Sequence, residues 1–306
     1  MEDEKQDDIL PTIIDESTSQ TKIIPYKFDT LVLSGASSKG IVTLGALQYG
    51  YDFFLLNEVT NYIGTSSGAI ICYLLSIGYS PIEIIIYICT NQLMEKLRHF
   101  NIVAMMNNLG ASSFTSIYEQ LEKMTIEKIG YLPTFTDLKD KYKKNLICVT
   151  YNYTSNSAEY LSVETTPSMP CLIALRMSAN LPLIFEPYKY NRSCYLDGGI
   201  IDNFPIEIGK RIGTKILGIY IDTENFIQND EDDFNVIEYV YKLMFIPITQ
   251  RIKNKIDDVK SLPNIKIIKL IDQYTKKKSY FDMNINSSEK LDMFSLGYQQ
   301  CKNFFE

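Results

Sequence analysis

Histidine is nearly missing from this chain: His99 is the one imidazole in 306 residues, and tryptophan is absent. A Ser-His-Asp hydrolase would have to use His99, yet the chain order Ser66, His99 and then any later aspartate matches none of the three known triad orders. A serine hydrolase built on this chain therefore points to a carboxylate base. The six cysteines (72, 89, 148, 171, 194, 301) form no C-x-x-C pair, and no histidine stands near them to complete a zinc site. Reduced thiols in a cytoplasmic setting are expected. A surplus of cations is also lacking: the net charge of -7 argues against nucleic acid as the main partner.

Long apolar runs are missing too. The stretch from Ala69 to Thr90 is broken by Ser76, Gly78, Pro81 and Glu83. It reads as two helices, with Ser80 as the N-cap of the second and Pro81 at its first position, so no transmembrane segment is expected. There is no G-x-G-x-x-G. Gly35 and Gly40 have P-loop spacing, but Ile41 and Val42 follow where Lys and Ser or Thr would be needed. No calcium loop of the D-x-[DN]-x-[DN]-G type is evident.

What is present suits one large core, at 45% hydrophobic and 22% charged residues. Residues 1–24 read as an acidic, mobile tail, with Glu2, Asp3, Glu4, Asp7, Asp8, Asp15 and Glu16 against Lys5. That acidity does not fit a secretory signal. Residues 25–306 read as a single domain, with a cap over its site at about 91–130. Arg251, Lys253, Lys255, Lys260, Lys266, Lys269 and the run Lys276-Lys277-Lys278 read as a solvated face, with anionic headgroups as the alternative partner.

Apolar periodicity predicts strands at 28–33, 146–151, 159–163, 193–196, 215–221 and 265–270. It predicts helices at 41–55, 171–179, 236–255 and 288–304, and an acidic loop at 229–233. Alternation of the two types implies an α/β fold: a three-layer α/β/α sandwich with a mostly parallel central sheet and its site at the carboxyl ends of the strands.

Three segments carry chemistry. The loop Ser34-Gly35-Ala36-Ser37-Ser38-Lys39-Gly40 lies between a strand and a helix, where converging backbone amides can hold an oxyanion. Gly64-Thr65-Ser66-Ser67-Gly68 is a G-x-S-x-G turn after the strand Val59–Ile63 and before an apolar helix, the layout of a nucleophile elbow. Its glycines allow a turn too tight for side chains. Asp197-Gly198-Gly199 is an acid at a strand end, and read alone it is a turn sequence.

Taken in order, the three resemble the patatin-like phospholipase family, which joins a glycine-rich oxyanion loop ending in Arg or Lys plus Gly to a G-x-S-x-G serine and a D-G-G or D-G-A aspartate. The resemblance extends to Leu31–Gly35, to Met177-Ser178-Ala179-Asn180-Leu181-Pro182 and to Gly199–Pro205, covering about residues 28–225. It implies a patatin-like fold, a Ser66-Asp197 dyad without histidine, and release of fatty acid from phospholipid during transient membrane contact, with no metal or cofactor. The oxyanion hole would be drawn from Gly35, Ala36, Ser37, Ser38, Lys39 and Gly40, and the turns shaped by Gly64, Gly68, Gly198 and Gly199.

One departure stands out. Ala36 and Ser37 replace the second and third glycines of the family's loop, so a positive φ at either would be strained. Lys39 reads as holding the loop, or as attracting an anionic headgroup. His99 reads as a surface or packing residue, and Phe100, Met105, Met106 and Phe114 are candidate acyl-pocket residues. The alternative functions are a lysophospholipid or small-ester hydrolase and a catalytically weakened lipid-binding module.

Overall fold

A computed structural model describes residues 26–91, 110–222, 236–272 and 285–306, together with the backbone of 12–14 and 21–23. His99, Phe100, Met105, Met106, the loop at 229–233 and the run at 276–278 lie outside the described residues. Within the segment read as an acidic tail, β1 (Thr12–Ile14) pairs antiparallel with β2 (Thr21–Ile23).

The order continues with β3 (Thr30–Leu33), helix α1 (Gly40–Asp52), β4 (Asn61–Thr65), α2 (Ser67–Ser76) and α3 (Pro81–Thr90). Then come β5 (Gly110–Ser112), helices Thr115–Ile129 and Phe135–Tyr142, β6 (Asn145–Asn152), β7 (Ser157–Leu161) and helix Cys171–Ser178. The chain finishes with β8 (Leu183–Phe185), β9 (Tyr188–Tyr190), β10 (Ser193–Asp197), helices Gly199–Asp202 and Ile206–Ile212, β11 (Ile216–Ile221), helix Val236–Val259, β12 (Ile265–Leu270) and helix Ser287–Phe305.

Alternation along the strands explains the layers. On β3, Leu31 and Leu33 pack into one apolar cluster with Leu44, Leu47 and Tyr49 of α1, while Val32 packs into another with Ile206, Ile208 and Ile252. Both faces of the sheet are thus covered by helices. Each fully buried leucine contributes about 1.5–3 kcal/mol relative to exposure. The three-layer expectation holds, but the sheet is mixed. In the order β12-β11-β3-β4-β6-β10-β9, strands β12 through β6 are parallel, whereas β10, β9 and β7 join antiparallel.

Strand β6 makes the join that matters. Over Asn145–Val149 it pairs with β4, and over Thr150–Asn152 it pairs with β10. Because β7 occupies its other edge over Cys148–Asn152, β4 and β10 share a single edge and run toward each other. They end at adjacent register positions, Thr65 opposite Val149 and Asp197 opposite Thr150. The two chain segments carrying Ser66 and Asp197 therefore meet end to end.

Several boundaries differ from the sequence reading. Helix α1 stops at Asp52 because Phe54 takes a positive φ of 56°, and β7 starts at Ser157, directly after Asn156 in the left-handed region. The C-terminal part of the expected cap is ordered structure: β5 pairs with β8, and helix Thr115–Ile129 buries Leu121 and Met124 in the main cluster. Ser80 caps α3 as expected, its hydroxyl accepting from the Glu83 amide while the Glu83 carboxylate accepts from the Ser80 amide at 2.7 Å. Among the described residues no single helix is long and apolar enough to cross a membrane. The pair α2 and α3 reaches that length only together and bends by 118°.

Candidate active site

Ser66 sits between β4 and α2 with φ 56° and ψ -127°, a conformation an L-residue adopts only when its surroundings hold it there. The glycines beside it are forced by proximity. A Cβ on Gly64 would come within 2.5 Å of the Ala69 amide nitrogen, and one on Gly68 within 2.5 Å of the Ser34 carbonyl. What holds the turn is Ser178, whose hydroxyl accepts the Ser66 N–H at 3.0 Å.

The same short segment holds the aspartate. Asp197 donates its amide to the Asn180 carbonyl (2.9 Å), and Gly198 donates to the Ser178 carbonyl (3.2 Å). Asn180 in turn donates to the Tyr195 carbonyl at 2.7 Å and accepts from Arg176, which is buried among Phe114, Phe185 and Tyr188. Residues 176–180 thus splint the elbow to the end of β10. The sequence reading places this segment at the end of a helix and within the family resemblance, but gives Ser178 and Asn180 no role.

The Asp197 carboxyl is 1% exposed. Its Oδ1 accepts the Gly199 amide at 2.6 Å, the Ser66 hydroxyl leans on the carboxyl, and Oδ2 has no further partner among the described residues. Burial pushes its pKa up to about 7, against the opposing pull of the Ser66 hydroxyl and the Gly199 amide. Burial thus sets this carboxyl apart from a free aspartate, whose reference value is about 3.9. A base near 7 is better matched to proton transfer at neutral pH than one near about 4.

The loop before α1 narrows the set of amides that can meet an oxyanion. Gly35 donates to the Asn203 carbonyl, Ala36 to the Ser67 hydroxyl at 3.0 Å, Lys39 to the Ala36 carbonyl, and Gly40 to the carbonyls of Ser37 and Ser38. Among the described residues no acceptor is found for the Ser37 and Ser38 N–H groups, and both residues border the cleft beside Ser66. Strain falls on Ser37, with φ 49°, and not on Ala36, with φ -150°. Lys39 points away: it is 2% exposed and pairs with Asp272 at 4.0 Å, burial lowering its pKa to about 8.

Asn203 explains two more glycines. Its side chain donates to the Gly35 carbonyl at 3.2 Å, and its Oδ1 would lie 2.4 Å from a Cβ on Gly35 and 2.8 Å from one on Gly199. Gly198 is needed because Val149 passes 2.2 Å from its Cβ position.

The model of the patatin-like phospholipase family matches residues 31–209, more than half of the sequence and all three motif segments. The chain belongs to the patatin-like phospholipase family. A probable lipid hydrolase, 463L, of Invertebrate iridescent virus 6 is 40% identical over 62% of this chain and 66% of its own length. The uncharacterized protein R571 of Acanthamoeba polyphaga mimivirus is 26% identical over 94% of this chain and 97% of its own. Among solved structures, VipD from Legionella pneumophila shares the fold, with a TM-score of 0.51 at 16% identity, covering 97% of this chain and 70% of that one.

In this patatin-like chain an apolar cleft opens beside Ser66. Leu44 of α1, Ile71 of α2, Ile84 of α3 and Phe114, Leu121 and Met124 line it. Of the four candidate acyl-pocket residues, Phe114 is the one within the described residues, and it lines this cleft. A second, smaller cavity borders Ser66 on the side that holds Asp197. Among the described residues no group of three His, Cys, Asp or Glu side chains could hold a metal ion.

Proposed function

We propose that this patatin-like lipid hydrolase cleaves acyl esters of glycerophospholipids through a Ser66-Asp197 dyad. The observation that carries the reading is the buried Asp197 carboxyl, raised to about 7, against the Ser66 hydroxyl at the meeting point of β4 and β10. The Ser66 oxygen attacks the ester carbonyl as its proton passes to Asp197. The resulting oxyanion is met by the Ser37 and Ser38 amides, with the N-terminus of α2 adding its positive end. The C–O bond then breaks, and Asp197 returns the proton to the departing alcohol oxygen. Water, deprotonated by Asp197, attacks the acyl-Ser66 carbonyl. Collapse releases fatty acid and restores the serine hydroxyl.

The six scattered cysteines, none in a C-x-x-C pair, support a reducing, cytoplasmic setting, and a lipid substrate calls for transient contact with membranes. The test is fatty-acid release from phospholipid vesicles in chelator. Wild type and His99→Ala are expected to release fatty acid at similar rates and Ser66→Ala to release none. Loss of activity in His99→Ala as deep as in Ser66→Ala would overturn the dyad, as would release that requires calcium.

A further inference from the structure

Ser66 stands between an apolar cleft and a smaller compartment with an apolar outer wall, and Asp197 borders only the second. We propose that the compartment on the Asp197 side takes the leaving alcohol together with the second acyl chain of a diacyl lipid, while the chain being cleaved lies in the larger cleft. The assignment rests on the Ser66-Asp197 reading. Asp197 must hand its proton to the departing oxygen, which requires that oxygen within hydrogen-bond reach, about 2.6–3.2 Å. Ser37, Ser38 and Ser66 border the larger cleft without Asp197, so an alcohol seated there could not be protonated.

The chemistry of the second compartment then selects the leaving group. Its outer walls are Leu181, Ile200, Met244, Phe245 and Ile248, with Asn203 and Tyr241 beside them, and Asp197 is the one charged side chain among the described residues that line it. Arg251 and Lys255, farther along the same helix, are committed elsewhere: Arg251 donates to the Ile201 carbonyl, and Lys255 pairs with Asp202 and Glu207. A bare glycerophosphate would set its polar groups against methionine and phenylalanine. A second acyl chain would bury methylenes there, so affinity grows with leaving-group chain length.

The test uses the full chain and oleoyl esters of straight-chain alcohols from ethyl to decyl in detergent micelles of fixed composition. For wild type, kcat/KM is expected to rise at least about tenfold along the series, and Met244→Trp, which fills the compartment, is expected to flatten that rise. Dioleoyl phosphatidylcholine should be preferred to its monooleoyl form by a similar factor. A flat wild-type series overturns the proposal, whether or not Met244→Trp folds, and so does a rise that Met244→Trp leaves intact in a folded protein. Hydrolysis persisting in Ser66→Ala overturns the dyad itself, and the assignment of sides with it.

A different observation carries a second inference. The Ser37 hydroxyl is enclosed and has no hydrogen-bond partner among the described residues, although Ser37 borders both compartments and Ser66. An orphaned donor at that position needs an explanation. We infer that it donates to the oxyanion beside the Ser37 and Ser38 amides. Ser37→Gly keeps the amide and relieves the positive φ, so a purely conformational role predicts equal or faster turnover. A donor role predicts kcat lower by about tenfold or more with KM unchanged and Tm unchanged or higher. Turnover of Ser37→Gly at or above wild type overturns it.

Discussion

Asn203 grips Gly35 from both sides of its Cα: the Gly35 N–H donates to the Asn203 carbonyl at 3.1 Å, and the Asn203 side-chain amide donates to the Gly35 carbonyl at 3.2 Å. The oxyanion loop is thereby fastened to the segment that follows Asp197, with no room between them. Gly35→Ala would drive its methyl into Asn203 Oδ1, displacing the loop. The expected result is a fall in kcat of about a hundredfold, the scale of losing one oxyanion donor. In an Asn203→Ala background the same substitution is expected to cost far less, because the colliding atom is gone. Equal losses in both backgrounds would show that the clasp does not set the loop.

Asp197 makes activity and stability move in opposite directions with pH. Only its ionised form can take the serine proton, so kcat/KM should rise with an apparent pKa near 7 and level off above it. For stability the sign is reversed. A carboxyl whose pKa is raised by burial costs nothing while both states are protonated, below about pH 4. The penalty grows as pH rises and is complete above the folded value near 7, reaching on the order of 4 kcal/mol at most. Asp197→Asn should therefore abolish turnover while raising Tm, and the gain should be larger at pH 8 than at pH 4. A Tm gain independent of pH would contradict the assigned burial effect.

How much of this was legible beforehand follows from where the information lies. The elbow, the loop and the aspartate turn were readable because glycines 64, 68, 198 and 199 are local signatures of tight backbone approach. Strand β3 was readable from its apolar run. The splint at Ser178 and the clasp at Asn203 were not, since each acts across the fold: Asn203 lies 168 positions from Gly35, and Ser178 lies 112 from Ser66. The raised pKa of Asp197 is a property of burial, which residue identity does not carry. The edge change along β6 was hidden for a related reason: β10 was readable as a strand, but which edge it joins and in which direction is not carried by its own residues.

Lys39 separates its two sequence readings by what it touches. Its ammonium is buried against Asp272, so Lys39→Met is expected to leave the ratio of rates on anionic and zwitterionic vesicles unchanged while lowering Tm. Removing one partner of a buried pair strands the other, typically at about 3–5 kcal/mol. Lys39→Met combined with Asp272→Leu should lose less than the sum of the single variants. A selective loss on anionic vesicles would return Lys39 to the headgroup.

Ser178 touches no reacting atom, yet it sets the distance between two that react. Its hydroxyl holds the Ser66 amide and its carbonyl holds the Gly198 amide. Ser178→Ala leaves a buried N–H unsatisfied beside a strained turn, a cost of about 1–3 kcal/mol. Part of that cost should appear as a lower Tm and part as a lower kcat, because the elbow can relax only by moving Ser66 away from Asp197. KM should change little, since neither compartment is lined by Ser178. Ser178→Thr keeps the acceptor and is expected to recover kcat relative to Ser178→Ala. If both variants lose kcat equally while both remain folded, the hydroxyl is not what fixes the pair.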